Sequence, residues 1–149
     1  MDKLKVKNII ISKQGEDSTN YTEFIKLVKK HNINFIIVEA GDIINIDKNS
    51  YFQILWPTEK QIKQNILNNN SIVAKFVYRN TSILFTGDIE EIAEKQIIAK
   101  YKNTILLNST ILKVAHHRFK EFVNPTICEF SRAKDSFNRS RGNKYVWTS

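Results

Sequence analysis

The sequence predicts a single α/β (α+β) domain with a mixed, largely antiparallel β-sheet and flanking helices. Two amphipathic helical segments alternate with short apolar segments rich in β-branched and aromatic residues, which are typical of strands. The chain has 149 residues, enough to bury a core, and 42% of them are hydrophobic, which excludes a disordered chain. Because no linker or internal repeat is evident, we expect one domain over 1–149.

The first half predicts one helix among four strands. An opening strand over 4–11 is followed by a polar loop and by a helix capped at Asn20, with Glu23 at the capping-box position. The apolar face of this helix has the i, i+3, i+4, i+7 spacing and consists of Tyr21, Phe24, Ile25 and Val28. Turn residues separate three further strands, over 33–38, 42–47 and 51–56. The last two predict an antiparallel meander.

The second half predicts a hairpin, a helix and further strands. A polar, Asn-rich segment over 58–70 includes a short helix about Ile62 and Ile66. Strands over 72–78 and 82–86 are joined through Arg79-Asn80, a typical hairpin connection. A helix then extends to about Lys100. Later strands are expected over 111–115, 126–130 and 144–147, with Cys128 as a small buried residue.

Asp88 is the first candidate functional residue. The buried strand over 82–86 is stopped by Gly87-Asp88, whose turn chemistry places the acid at a sheet edge. The strand over 111–115 is followed in the same way by His116-His117. Carboxylate oxygen and neutral imidazole nitrogen suit zinc, manganese or iron. The pattern therefore suggests a metal site of Asp88, His116 and His117.

The same residues also fit roles that need no metal. Asp88 precedes a helical pattern, and Glu91 stands three residues later as in a capping box, so Asp88 is well suited to be a helix N-cap. One carboxylate oxygen can cap while the other binds a metal, so the two roles are compatible. A His-His pair at a strand end is as often structural as ligating. His31 is better explained by its position at a helix C-terminus than as a ligand.

The charge balance favours anionic partners. The formal net charge is +8 and the pI is about 9.6, and basic surface attracts phosphate without sequence recognition. A solvated lysine-rich surface with a basic tail explains the same composition. The cations that we assign to DNA binding follow His117 or lie near the C-terminus: Arg118, Lys120, Arg132, Lys134, Arg139 and Arg141.

The remaining sequence features bear on location. Cys128 is the single cysteine, so the chain has no internal disulfide and no zinc-finger spacing. The N-terminal residues lack the apolar region of a signal peptide, and no apolar segment approaches membrane-spanning length. We therefore expect a cytoplasmic chain without a membrane segment.

Four segments, in order and spacing, resemble the ComEC-like branch of the metallo-β-lactamase-fold hydrolases. They are residues 51–57 (YFQILWP), 69–75 (NNSIVAK), 84–89 (LFTGDI) and 112–117 (LKVAHH). The soluble domain of the competence protein ComEC and its stand-alone relatives carry an N-N-S-[IV]-V strand, a TGD motif and a K-V-x-H-H-G-S motif. The resemblance covers most of 5–120.

The resemblance implies an αββα sandwich, present here in part, with an active site at one edge of two packed sheets. That site holds one or two metal ions, commonly zinc or manganese. Asp88 would be the catalytic carboxylate that contacts or bridges them, and His116, with His117, would lie at the next motif. A bound metal lowers the pKa of its water to form the nucleophile. The implied reaction is hydrolysis of DNA phosphodiesters.

The chain also departs from that family. The H-x-H-x-D-H ligand cluster, which belongs to the first half of the fold, is absent, and the sequence has three histidines in all. Arg118-Phe119 replace the Gly-Ser that follows the histidine pair in the family. Residues 118–149 are divergent and shorter, without the G-H-P element, although 141–146 resemble the family's last strand. We therefore expect a truncated, C-terminal part of the domain, with weak or no activity.

Two other hypotheses remain open. The chain could be a non-catalytic module that binds nucleic acid or protein, because half a sandwich would expose an apolar sheet face. Its partner would then be a second copy of the chain or a protein that supplies the missing half. It could also be a vestigial fragment without a present function.

Overall fold

The computed structural model describes residues 5–13, 19–115, 127, 131, 135–140 and 143–148, the last two segments by their backbone. The strands are β1 (Asn8–Ser12), β2 (Asn34–Val38), β3 (Ile43–Asp47), β4 (Ser50–Trp56), β5 (Val73–Tyr78), β6 (Thr81–Phe85), β7 (Ile111–Lys113), β8 (Asp135–Ser140) and β9 (Asn143–Thr148). The helices are α1 (Thr19–Lys30), α2 (Ile66–Asn69) and α3 (Glu91–Tyr101).

The described strands form two sheets. β1 and β2 are a parallel pair, and the other seven strands form one sheet in the order β3-β4-β5-β6-β7-β8-β9. From β3 to β6 this sheet is an antiparallel meander, β6, β7 and β8 are parallel, and β8 and β9 are antiparallel. These pairings confirm the predicted mixed, largely antiparallel sheet and the hairpin at Arg79-Asn80.

One face of the seven-stranded sheet carries the main core. Leu55, Leu84 and Leu112 point to this face and pack with Ala93 and Ile97 of α3. All five side chains are buried, and each large aliphatic one contributes roughly 1.5–3 kcal/mol relative to exposure. The hydroxyl of Tyr101, in the last turn of α3, donates a hydrogen bond to the Leu55 carbonyl at 3.1 Å. α3 is therefore fixed across β4, β6 and β7.

The opposite face of the sheet packs against the β1–β2 pair. Val38, the last residue of β2, is buried in a second cluster with Ile54 of β4 and Ala74 of β5. Helix α1 lies on the outer side of the β1–β2 pair, where the rings of Phe24 and Phe35 are 6.2 Å apart. The order of layers is thus α1, the β1–β2 pair, the seven-stranded sheet and α3.

The structure corrects two predicted helix starts. α1 begins at Thr19, so Asn20 lies inside the helix and does not cap it. α3 begins at Glu91 and its N-cap is Glu90, whose φ of −105° and ψ of 176° are extended. Asp88 therefore does not cap α3, because it lies two residues before the N-cap position.

In the C-terminal part, one strand prediction needs correction and one strand was missed. Ile127, inside the predicted strand over 126–130, has helical backbone, whereas Cys128 and its neighbours lie outside the described residues. Strand β8 was not expected, because its sequence DSFNRS lacks an apolar alternation strong enough to predict a strand. The terminal strand is present as β9.

Candidate functional site at the carboxyl ends of β6 and β7

The turn Thr86-Gly87-Asp88 follows β6 and is held in place by packing. Thr86 is fully buried, and its hydroxyl donates a hydrogen bond to the carbonyl of Lys113 at 2.7 Å. Gly87 has a φ of +57°, and a Cβ atom there would lie 2.8 Å from Cβ of Ser71. Glycine is therefore required both by the left-handed backbone and by the close approach to Ser71.

Lys113, the last residue of β7, binds this turn from the neighbouring strand. Its ammonium group donates a hydrogen bond to the Gly87 carbonyl at 2.9 Å and lies 3.9 Å from Oδ1 of Asp88. The Asp88 side chain is 62% exposed. An ion pair as exposed as this contributes about 0–1 kcal/mol, so its main effect is to place a positive charge beside the carboxylate.

Glu90, two residues after Asp88, is bound by an asparagine cluster. Asn65 donates to both carboxylate oxygens of Glu90 at 2.9 Å, and the side chain of Asn69 donates to Oε2 at 2.9 Å. In return, the Glu90 N–H donates to Oδ1 of Asn69 at 3.1 Å. The amide donors thus satisfy a carboxylate at the start of α3, where the helix dipole also favours negative charge.

The same Asn-rich segment fixes the end of β4. The Trp56 indole N–H donates to the Asn69 carbonyl at 2.7 Å. The Asn70 side chain accepts from the Ile62 N–H at 3.0 Å and donates to the carbonyls of Ile62 and Ile66. Both asparagines are fully buried with these bonds made. Asn69 and Asn70 are therefore structural in this chain, because they connect the end of β4, the segment around α2 and the start of α3.

The sequence analysis missed Glu90 and the asparagines that bind it. The signal that could have indicated them is the asparagine-rich segment that follows the strand ending at Trp56. Its many side-chain amides need hydrogen-bond partners in a compact domain. Sequence analysis predicts a short helix in this segment and a resemblance at 69–75, but no hydrogen bonds to Glu90.

The predicted ligands are placed only in part. Phe85 of β6 pairs in register with Lys113 of β7, so the carboxyl ends of these parallel strands meet at one sheet edge, as expected. Asp88 lies at that edge. The other predicted ligands, His116 and His117, lie outside the described residues.

The predicted DNA-binding residues are also mostly beyond the described part. Arg139 lies in β8, whose backbone alone is described. The remaining five lie outside the described residues: Arg118, Lys120, Arg132, Lys134 and Arg141.

The described residues by themselves do not fit a zinc or manganese ion. Among them, no three His, Cys, Asp or Glu side chains lie close enough together to bind a metal. Asp88 provides one exposed carboxylate, and the charged group beside it is the Lys113 ammonium rather than a second ligand. One carboxylate is too few for a protein metal site.

Lys75 is a half-buried cation on the α3 side of the sheet. It pairs in register with Leu84, and its ammonium group donates to the Ile105 carbonyl at 3.2 Å. Burial lowers the pKa of Lys75 from the usual lysine value, because desolvation disfavours the charged form. Its contact with the connection after α3 indicates a packing role.

Comparison with models of known protein families finds no match, and no curated protein matches the chain. No described helix is both long and apolar enough to cross a membrane. The fold and the site therefore define the chain as a mixed α/β domain with a mostly antiparallel sheet and a rigidly held Thr-Gly-Asp turn at the sheet edge.

Proposed function

We propose that the chain is a ComEC-like metallo-β-lactamase-type domain whose metal-dependent hydrolysis of DNA phosphodiesters is weak or lost. The observation that carries this proposal is the Thr86-Gly87-Asp88 turn at the shared carboxyl edge of β6 and β7, with Lys113 beside Asp88. By the resemblance, Asp88 of this turn would be the metal-binding acid, yet the described part provides a single carboxylate there.

The layer order supports the proposed αββα sandwich. Val38 packs between the β1–β2 pair and the seven-stranded sheet, while α1 and α3 lie on the two outer sides. Two facing sheets between two helical layers are one solution for burying apolar sheet faces. Under this proposal the sheet edge that carries Asp88 is the active-site edge of the family.

The charges around Asp88 support the proposal that the metal site is impaired. A metal-bound carboxylate needs further ligands and second-shell groups that orient it. The described neighbours of Asp88 supply one lysine ammonium at 3.9 Å, which neutralises the carboxylate without ligating a metal. The role left to Asp88 and Lys113 in the described part is to hold the turn against β7.

Metal binding and nuclease activity test this proposal together. Zinc and manganese would be titrated into the purified chain, with elemental analysis, for the wild type, the Asp88→Ala, His116→Ala double variant and Glu59→Ala, an exposed acid elsewhere. We expect substoichiometric metal, little cleavage of single- or double-stranded DNA and no difference among the three proteins. Stoichiometric metal and cleavage that the double variant alone loses would show an intact hydrolase.

A second candidate function is nucleic-acid binding without catalysis, and the β8–β9 hairpin favours it. Arg139 of β8 pairs in register with Lys144 of β9, and Arg141 is the next cation after Arg139 in the sequence. Like charges directly opposite each other destabilise a strand pair. A hairpin that retains them is therefore suited to an anion, in agreement with the net charge of +8.

Salt dependence of DNA binding tests this second candidate. We expect weak, sequence-independent binding that falls steeply with salt, with a slope reduced by about one unit for each phosphate-contacting cation removed. Arg139→Ala and Arg141→Ala should each reduce the slope. Lys48 is a surface lysine in the β3–β4 turn, and Lys48→Ala should reduce the slope less. Equal slopes for all three variants would place binding elsewhere on the surface.

A further inference from the structure

The outer edge of β2 is the least protected strand edge among the described strands. At the other edges, β1 is flanked by Lys7 and Lys13, β3 has a bulge and ends on Asp47, and β9 contains Lys144. Charges and bulges of this kind prevent edge-to-edge pairing in natural sheets. Within the strand, β2, with the sequence NFIIV, has no charge, no proline and no register shift, and it has one charged neighbour, Glu39, where β1 has a lysine on each side.

The backbone groups on this edge are directed away from β1. The Asn34 N–H donates to the Lys7 carbonyl at 2.9 Å, so Asn34 and, by alternation, Ile36 point their N–H and C=O groups toward β1. Phe35 and Ile37 consequently point theirs outward. No described strand pairs with this side of β2. The edge therefore offers two outward donors and two outward acceptors to an added strand.

An apolar groove runs beside this edge, between α1 and β2. It has a volume of about 460 Å³, and its apolar walls include Ile25, Val28 and Phe35, with Lys29 at its side. On the strand itself, Ile37 is 56% exposed and Ile36 is 38% exposed. Exposed apolar side chains next to an open edge and a groove are typical of an interaction surface.

We propose that β2 is a homodimer interface in which two copies of the chain pair their β2 strands antiparallel about a two-fold axis at Ile36. This register sets Phe35 opposite Ile37 of the partner subunit and joins them by two hydrogen bonds, four in total by symmetry. The two β1–β2 pairs become one four-stranded sheet. A second copy fits because the strand is uncharged and pairs apolar residues at its three central positions.

The side chains in this register match the groove. Phe35 faces α1 and lines the groove, so the partner's Ile37, directly opposite it, covers the same apolar walls. Ile33, which also lines the groove, stands opposite the partner's Glu39, and this places a carboxylate near Lys29. The apolar contact and the charged contact therefore both favour this register.

Sedimentation equilibrium of the wild-type chain and two charge-matched variants tests the dimer. Ile37→Lys puts a charge into the interface, whereas Ile105→Lys puts the same charge at a residue that is 76% exposed in the connection after α3. We expect dimers for the wild type and Ile105→Lys, and a dissociation constant raised at least about tenfold for Ile37→Lys. Unchanged circular dichroism would show that this variant is folded.

Amide hydrogen exchange gives a second measure without any substitution. The amides of Phe35 and Ile37 should exchange quickly in dilute solution and slowly in concentrated solution, while the β1-facing amide of Ile36 stays protected in both. A chain that is monomeric at all concentrations, or a dimer unaffected by Ile37→Lys, would overturn the proposal. Pairing of this edge only with a different protein would appear as the monomeric outcome.

Discussion

Single residues decide the geometry of the Thr-Gly-Asp turn. Gly87 occupies a left-handed conformation in contact with Ser71, and Thr86 and Lys113 tie the turn to β7 from two sides. The conformation of the turn thus depends on one small residue and on two hydrogen bonds with Lys113 of β7, one donated by Thr86 and one by the Lys113 ammonium group. Asp88 takes its position at the sheet edge from these contacts.

Gly87→Ala should destabilise the chain by about 2 kcal/mol or more, because a left-handed alanine costs about 1–2 kcal/mol and its Cβ would crowd Ser71. Chemical denaturation measures the free energy of unfolding. Adding Ser71→Gly, which removes the Cβ atom at 2.8 Å, should restore part of the loss. Strictly additive losses in the double variant would mean that the contact with Ser71 is unimportant.

Asp47→Asn should lower the thermal stability at neutral pH and have less effect in acid. Hydrogen bonds from the Asn49 N–H, and then from the Ser50 side chain, lower the pKa of Asp47 below its ordinary value of 3.8. The stabilisation is therefore present above the unfolded-state pKa and is lost as the pH falls through the lower folded-state pKa. Melting temperatures measured from neutral pH down to acid should converge, and a constant difference would contradict this origin.

At the scale of elements, the asparagine cluster joins β4 and the segment around α2 to the start of α3. Asn69 connects β4 through Trp56 and α3 through Glu90, and Asn70 closes the loop before α2. The segment between β4 and β5 therefore holds these elements together through side-chain hydrogen bonds. Its hydrogen bonds hold the side chain of Glu90, which is the N-cap residue of α3.

Glu90→Ala should destabilise the chain by about 1–3 kcal/mol, since it leaves the amide donors of Asn65 and Asn69 without their charged acceptor. The same substitution at the exposed Glu59 should change the free energy of unfolding by less than about 0.5 kcal/mol. Denaturant unfolding of both variants measures the difference. Equal effects would show that water replaces the Glu90 carboxylate without cost.

At the scale of the whole molecule, the described residues form two separate cores that hold the layers together. The larger one lies between the sheet and α3, and the smaller one, around Val38, attaches the β1–β2 pair to the opposite face. The smaller core has few buried side chains. The β1–β2 pair is accordingly the less firmly held layer.

Val38→Ala should loosen the β1–β2 pair selectively. Loss of two buried methyl groups costs about 1–3 kcal/mol, and hydrogen exchange of the β1 and β2 amides should accelerate more than that of β4 to β6. Val73→Ala is the matched control, because Val73 is equally buried in the α3 core. Val73→Ala should accelerate hydrogen exchange mainly in α3 and the main sheet. The same exchange pattern in both variants would mean that the domain opens as one unit.

Most of the fold could be predicted from local patterns, and the site only in part. Alternating apolar residues and the Arg79-Asn80 turn determine the meander locally, so those strands were predicted within a few residues. The cap at Glu90 could not be predicted, because it depends on asparagines that are 21–25 positions away. The separation of β1 and β2 from the main sheet likewise depends on long-range packing at Val38.

The connection lengths along the main sheet also imply an order of folding. The β5–β6 hairpin closes through two residues, whereas β7 reaches β6 only after a connection of 25 residues that includes α3. Closing long connections costs more chain entropy and slows folding, so we expect the meander to form first and to act as the template for β7. The edge that carries Asp88 is then assembled late, and a chain still emerging from the ribosome would display the meander before that edge exists.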